Sequence, residues 1–295
     1  MSPDPRTMAG SMFRFAPSPN GRLHLGHAYS ALFTAQQARL HDGTFLVRIE
    51  DIDRARCKPE FAEQALDDLK WLGLEWSQPV RHQSRHMHEY TSIIDRLERL
   101  QLLYPCFCTR ARLSGARGPE DPDGGTVYPG YCRLMTRMER NRRMTAGEPY
   151  ALRLDMAKAI VAAGPGLSFH EGGRGPAAET GTVICTPQVW GDVILARKDI
   201  GTSYHVAVVH DDAVQGITHV TRGIDLFHAT SIHRVLQSIL EFPVPAYIHH
   251  KLISDDTGRK LSKSLGDLSL AALRDEGVTP EMIREQLGFH SLQGD

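Results

Sequence analysis

The sequence predicts an α/β fold: a parallel sheet covered by helices on both faces and interrupted by an inserted second domain. Three observations predict it. Strand-like and helix-like stretches alternate over residues 13–103, the rhythm of successive βα units. Over residues 104–200 that rhythm lapses into irregular chain with two Gly/Pro-rich tracts, 114–130 and 164–181. Strand-like apolar runs then resume at Tyr204. The 295 residues carry a formal net charge of −1, and 41% are hydrophobic and 23% charged. These globular values exclude a disordered chain, a collagen and a coiled coil.

Taken in order, residues 1–12 read as a loose leader. Residues 12–16 form a short buried strand that breaks at Pro17-Ser18-Pro19-Asn20-Gly21. A helix is expected over 26–40, with Ala28, Leu32 and Ala35 on one face. Residues 45–49 alternate like a strand and run into the acidic cluster Glu50-Asp51-Ile52-Asp53. Pro59 opens a second helix with Phe61, Ala65, Leu69 and Leu72 at helical spacing. A third helix spans 86–103 around Met87, Tyr90, Ile94 and Leu97. Beyond the insertion, 204–209 and 217–220 read as strands and 226–240 as a helix, and residues 266–295 form short helices.

No stretch reaches the roughly 18 apolar residues of a membrane helix, and residues 1–15 lack the apolar segment of a signal peptide. Five cysteines, an odd number, argue against a disulfide framework and for a reducing cytoplasm. Basic residues are skewed to 27 Arg against 7 Lys. With so little net charge, any contact to nucleic acid needs a local basic patch. Arg133, Arg137, Arg140, Arg142 and Arg143, opposed only by Glu139, form one candidate, and a solvated surface is the plainer reading of that run.

Two distant motifs carry the chemistry. His24-Leu25-Gly26-His27 starts the first helix just past the first strand, where an open α/β sheet binds nucleotides. Gly26 admits close backbone approach, the helix N-terminus favours phosphate, and the two imidazoles can donate to phosphate oxygens. Lys260-Leu261-Ser262-Lys263-Ser264 follows a Gly-containing turn, and its lysines and hydroxyls suit a triphosphate whose charge shifts as pyrophosphate leaves. Singly these read as surface histidines and a solvated charge run, but their order on either side of a split βα fold is specific. An acidic-substrate pocket is readable at the same sheet edge. Arg14 and Arg222 end strands and can hold carboxylates, Glu50 suits an ammonium group, and Tyr204 adds a hydroxyl. Cys106-Phe107-Cys108 with Cys132 offers three thiolates to tetrahedral Zn²⁺, which needs a fourth ligand, or else three inert buried thiols. Cys57 and Cys185 have no evident partners.

Residues 15–27, FAPSPNGRLHLGH, resemble the signature of class I glutamyl- and glutaminyl-tRNA synthetases. Arg48-Ile49-Glu50-Asp51-Ile52-Asp53 resembles their second block, and Lys260–Ser264 their KMSKS element with Leu261 in place of Met. The resemblance covers about residues 13–265 and implies a Rossmann-like catalytic domain. It divides the chain into catalytic halves 13–103 and 201–265, a zinc-containing α+β subdomain 104–200, and a helical segment 266–295 with no anticodon-binding domain. Such short forms are similar to a family that activates L-glutamate with ATP and attaches it to queuosine in the anticodon of tRNA(Asp).

The resemblance implies ATP contacts at His24, Gly26, His27, Lys260, Ser262, Lys263 and Ser264, with His24, His27, Lys260 and Lys263 catalytic and Mg²⁺ on the phosphates. It implies glutamate contacts at Arg14, Phe15, Ala16, Pro17, Ser18, Glu50, Tyr204 and Arg222. The family pattern CxC…YxxxC implies a structural zinc at Cys106, Cys108, Tyr128 and Cys132, across the long tract 111–126. Three other readings remain: a truncated glutamyl-tRNA synthetase charging a tRNA 3′ end, a small cytidylyltransferase-like enzyme, and a non-catalytic nucleotide- or tRNA-binding regulator. Cytidylyltransferase-like chains are shorter and lack the Arg14/Glu50/Arg222 pocket. A regulator has no need of intact His24, His27 and Lys263.

Overall fold

A computed structural model describes residues 10–253 and 268–289. Strand β1 (Met12–Phe15) leads through α1 (Leu25–Leu40), β2 (Thr44–Ile49), α2 (Pro59–Trp71) and β3 (Ser77–His82) to α3 (Met87–Arg99). Next come β4 (Leu103–Cys106), α4 (Arg110–Ser114), α5 (Arg137–Thr145), β5 (Ala151–Leu154), α6 (Met156–Ala163), β6 (Ser168–Glu171), β7 (Gly181–Ile184) and β8 (Ile194–Ala196). The chain continues through α7 (Tyr204–Val214), β9 (His219–Gly223), α8 (Thr230–Ile239) and β10 (Ala246–His250). The helices α9 (Leu270–Asp275) and α10 (Pro280–Leu287) follow.

Seven strands form one sheet in the order β3-β2-β1-β9-β10-β6-β7, parallel except for the antiparallel edge pair β6–β7. Strands β4, β5 and β8 form a small antiparallel sheet. The tract 104–200, expected as one insertion, therefore divides. Its β4, β5 and β8 stand apart, while β6 and β7 extend the main sheet.

Side chains alternate across the sheet. Phe13 and Phe15 of β1 join Leu32, Leu69, Ile283 and Phe289 in a core with α1, α2 and α10. Arg14, between them, points to the opposite face and meets Asp212 of α7. Helices α3, α7 and α8 bury Tyr90, Leu97, Val206, Ile232 and Leu236 in a second core shared with Leu154 and Leu195 of the small sheet.

The run 204–209, expected as a strand, is the first half of α7. A continuous apolar run does not distinguish a buried strand from a buried helix, and here Val206, Ala207, Val208 and Val209 are all buried. The acidic pair that follows decides the matter. Three adjacent strands each send one arginine to it: Arg14 from β1 and Arg48 from β2 donate to Asp212, and Arg81 from β3 donates to Asp211. Arg48 is fully buried and also donates to Gln215 and Glu50. Burying such charges is tolerable only with this pairing. Two other boundaries shift. The helix expected over 86–103 stops at Arg99, and residues 103–106 form β4. The segment expected as a helix from 226 begins as a short 3₁₀ turn, with α8 starting at Thr230. No helix among the described residues is long and apolar enough to cross a membrane.

Candidate active site

A cavity of about 600 Å³ opens at the carboxyl ends of β1, β2, β9 and β10, where open parallel sheets bind ligands. Its walls hold the two sets of residues that the sequence reading placed at one sheet edge. His24, Gly26 and His27 form one wall. Arg14, Phe15, Ala16, Pro17, Ser18, Glu50, Tyr204 and Arg222 line the rest, with Ser30, Asp225, His250 and Lys251 completing it.

His24 is the N-cap of α1, and its Nδ1 accepts the Gly26 N–H at 3.1 Å. His27 reciprocates: its Nδ1 accepts the His24 N–H at 3.2 Å. The sequence thus builds a capping box from two histidines, their ring centroids 3.9 Å apart. With both Nδ1 atoms accepting, each neutral ring carries its proton on Nε2. Gly26 is required because a Cβ there would sit 2.9 Å from His24 Cε1.

Arg14 donates through Nε and NH2 to Asp212 and through NH1 to the Thr221 carbonyl. Arg222 has only neutral partners. Its Nε donates to His249 Nε2 at 3.1 Å, NH1 to His233 Nδ1 at 3.2 Å, and NH2 to Thr230 Oγ1 at 2.6 Å. A guanidinium has five N–H donors, so these partners take three on each arginine and leave two. The positive charge of Arg14 is offset by Asp212, whereas no carboxylate among the described residues pairs with Arg222. Because Arg222 can only donate, His249 Nε2 must accept, which puts the His249 proton on Nδ1, aimed at Glu171 Oε2 at 2.5 Å. Burial, outweighing Glu171, brings His249 down to about 4, and burial with Arg222 brings His205 to about 4. Glu50, 9% exposed, has its pKa raised by burial against the pull of Arg48 and Arg14. Tyr204 stands at the start of α7, not of a strand as expected.

Residues 254–267, which carry Lys260, Ser262, Lys263 and Ser264, lie outside the described residues. Ile253, just before them, lines the cavity, and Ser269, just after them, bridges to His24.

In the small subdomain Cys106, Cys108 and Cys132 are buried with their Sγ atoms within 4.8 Å of one another. The Tyr128 hydroxyl lies 3.5 Å from Cys106 Sγ and 3.7 Å from Cys108 Sγ, and Cys108 and Cys132 are 3.6 Å apart. A tetrahedron with Zn–S near 2.3 Å and Zn–O near 2.0 Å has S···S edges of about 3.8 Å and S···O edges of about 3.5 Å. The donor set therefore fits a zinc ion, Tyr128 included. Burial opposes ionisation of Cys106, but Tyr128 and Arg153 outweigh it and bring the thiol to about 7. Cys57 is half-buried beside the Glu50 carbonyl, and Cys185 is buried. A second polar group, Glu89, His210 and Asp211, is an ion-pair network whose carboxylates are occupied by Arg81, Gln83, His86 and Tyr90.

Over residues 12–293 the sequence matches the family described as tRNA synthetases class I (E and Q), catalytic domain. The chain belongs to this family. Within this class I synthetase family it is 47% identical over 286 residues to the glutamyl-Q tRNA(Asp) synthetase of Rhodobacter capsulatus, covering 94% of this chain and 99% of that one. It is 39% identical to the protein of the same name from Symbiobacterium thermophilum, covering 94% and 85%. The glutamate–tRNA ligase of Aquifex aeolicus is 36% identical, and the chain spans 55% of its length. The crystal structure of a glutamate–tRNA synthetase from Elizabethkingia anophelis shares the fold, with a TM-score of 0.75 at 24% identity. That match covers 94% of this chain and 61% of the other.

Sequence reasoning missed Asp212, Thr230, His233, Glu171 and His249, which hold the two arginines. The only sequence signals for them were Asp211-Asp212 closing an apolar run and His249-His250 closing another.

Proposed function

We propose that the protein activates L-glutamate with ATP to glutamyl-adenylate and transfers the glutamyl group to queuosine in the anticodon of tRNA(Asp). One observation carries this reading: a single cavity is walled by the two-histidine cap of α1 and by an arginine pair with a buried carboxylate. The relatives named for that activity, matched over nearly the whole chain, support it. Arg222, with its uncompensated charge, and Arg14 hold the substrate carboxylates. Glu50 and the Tyr204 hydroxyl meet the α-ammonium group.

A glutamate carboxylate oxygen attacks the α-phosphorus, the bond to the bridging oxygen breaks, and pyrophosphate leaves. The Nε2–H groups of His24 and His27, with Lys260, Lys263, Ser262 and Ser264, offset the charge that develops on the phosphates. Mg²⁺ bound with ATP would supply further positive charge against the phosphates. A queuosine hydroxyl then attacks the anhydride carbonyl and AMP leaves. Positioning and electrostatics supply the rate, with no protein nucleophile. Cys106, Cys108, Tyr128 and Cys132 would hold a zinc ion in a structural role, tying β4 to the loop before α5. An enzyme that uses ATP and tRNA belongs in the cytoplasm.

The test has two stages. ATP–pyrophosphate exchange is expected with glutamate and not with aspartate or glutamine. Labelled glutamate is then offered to tRNA(Asp) with and without queuosine, and the label is located. Label on the 3′ end, or equal labelling of both RNAs, overturns the acceptor assignment.

A further inference from the structure

We infer that the exposed face formed by Tyr131, Leu134, Met138 and the arginines of α4 and α5 is a docking surface for an unpaired RNA loop. This rests on the reading of the protein as an enzyme acting on RNA, and adds the surface that holds the RNA. Neither α4 nor α5 buries a single residue. Helix α5 is held by its Thr136 cap, the Arg142–Glu139 ion pair and the guanidinium groups of Arg140 and Arg143, which lie over the buried rings of Tyr104 and Phe107. Yet Leu134 is 84% and Met138 81% exposed, and Tyr131 and Met144 are also exposed. Four of the thirteen large exposed apolar residues of the described chain thus fall within residues 131–144, so this is a concentrated patch and not ordinary scatter.

Tyr131 is a prepared platform. Its ring packs edge-on against Tyr128, at 6.1 Å between centroids, and carries the Arg112 guanidinium at 4.8 Å. The segments 110–114 and 131–148 carry Arg110, Arg112, Arg133, Arg137, Arg140, Arg142 and Arg143 against Glu139 and Glu148, with Arg133 paired to Asp192. Arg110 and Arg137 make no ion pair or hydrogen bond among the described residues. Excess positive charge selects a polyanion, and an aromatic face with exposed apolar side chains selects one with unstacked bases. A duplex would use the charges and leave the apolar groups idle. An anionic membrane needs a helix with a continuous apolar face, and α5 has only Met138 and Met144. A separate cavity of about 300 Å³ is lined by Leu113 of α4, Tyr128, Trp190 and His205.

The probe is a labelled anticodon stem-loop of tRNA(Asp), with binding followed by anisotropy across a salt titration. Arg137→Ala and Arg110→Ala are expected to weaken binding and to flatten the slope of log K against log salt by about 0.7 each. Tyr131→Ala is expected to weaken it about 5- to 150-fold with the slope unchanged. The double variant Leu134→Ser/Met138→Ser, at sites with no packing to lose, is expected to do the same in kind. Thermal unfolding and ATP–pyrophosphate exchange should match wild type in all four. Wild-type affinity and slope in every variant overturns the inference, as does loss of binding to phosphatidylserine vesicles with stem-loop binding intact. Stem-loop binding through this face with glutamate found at the 3′ end would instead overturn the acceptor assignment alone.

Discussion

Replacing Glu171 with glutamine disconnects the support beneath Arg222. Glu171 is 1% exposed; its Oε1 accepts the backbone N–H groups of Gly173 and His249, and its Oε2 accepts the His249 Nδ1 proton. A glutamine that keeps the two backbone bonds turns its NH₂ toward His249 Nδ1. His249 must then accept there and carry its proton on Nε2, directly against the Arg222 Nε–H. Two donors cannot share that position, so the 3.1 Å bond is lost and Arg222 turns away from His249. The reverse amide orientation abandons two backbone donors instead. An unmet buried group costs about 1–3 kcal/mol, so the KM for glutamate should rise about 5- to 150-fold. In the proposed function Arg222 would hold substrate and transition state alike, so kcat should change much less. Glutamate-dependent ATP–pyrophosphate exchange reads both parameters, with the KM for ATP as the control. A KM for glutamate within about twofold of wild type would refute the linkage from Glu171 through His249 to Arg222.

Four further outcomes are expected. His205 and His249 titrate near 4 in the folded chain and near 6.5 unfolded, so the unfolded state binds more protons below pH 6.5. Stability should fall as pH drops from about 6.5 to 4, by up to about 1.4 kcal/mol per pH unit for each histidine; denaturant melts of His205→Gln should show a smaller slope. Arg48→Met takes one of two guanidinium groups from Asp212, which keeps Arg14, and removes a donor from Gln215 and Glu50; it should cost about 1–3 kcal/mol in urea unfolding, while a loss within about 0.5 kcal/mol would show that the network tolerates the change. Elemental analysis should find about one zinc per chain, and Cys108→Ser should lose it. Tyr128→Phe should retain it more weakly in a chelator competition, and a metal-free wild type with an unaltered melt would count against the site. Lys263→Ala should slow adenylate formation by about 10²–10³-fold with an unchanged melt; exchange at the wild-type rate removes Lys263 from the chemistry.

Much of the site was legible because its chemistry is local. The two histidines three residues apart cap their own helix, the loop after β1 is written in Pro, Ser and Gly, and Glu50 ends a clear strand. The cysteine pair and Cys132 announced themselves by residue type. By contrast, α7 was misread because its first half is apolar all round, and β10 went unseen because its histidines look polar in sequence and are buried in the fold.

The sequence alone determined the βα rhythm, the two-histidine cap of α1 and the residue types at the sheet edge, since each depends on neighbours within a few positions. Only the tertiary structure decided how the arginines are used. Arg14 lies 198 residues from Asp212, and Glu171 lies 78 from His249. Whether a buried guanidinium is neutralised or left to attract a ligand depends on which strand lies beside which helix, and strand order is a long-range property of the packed chain.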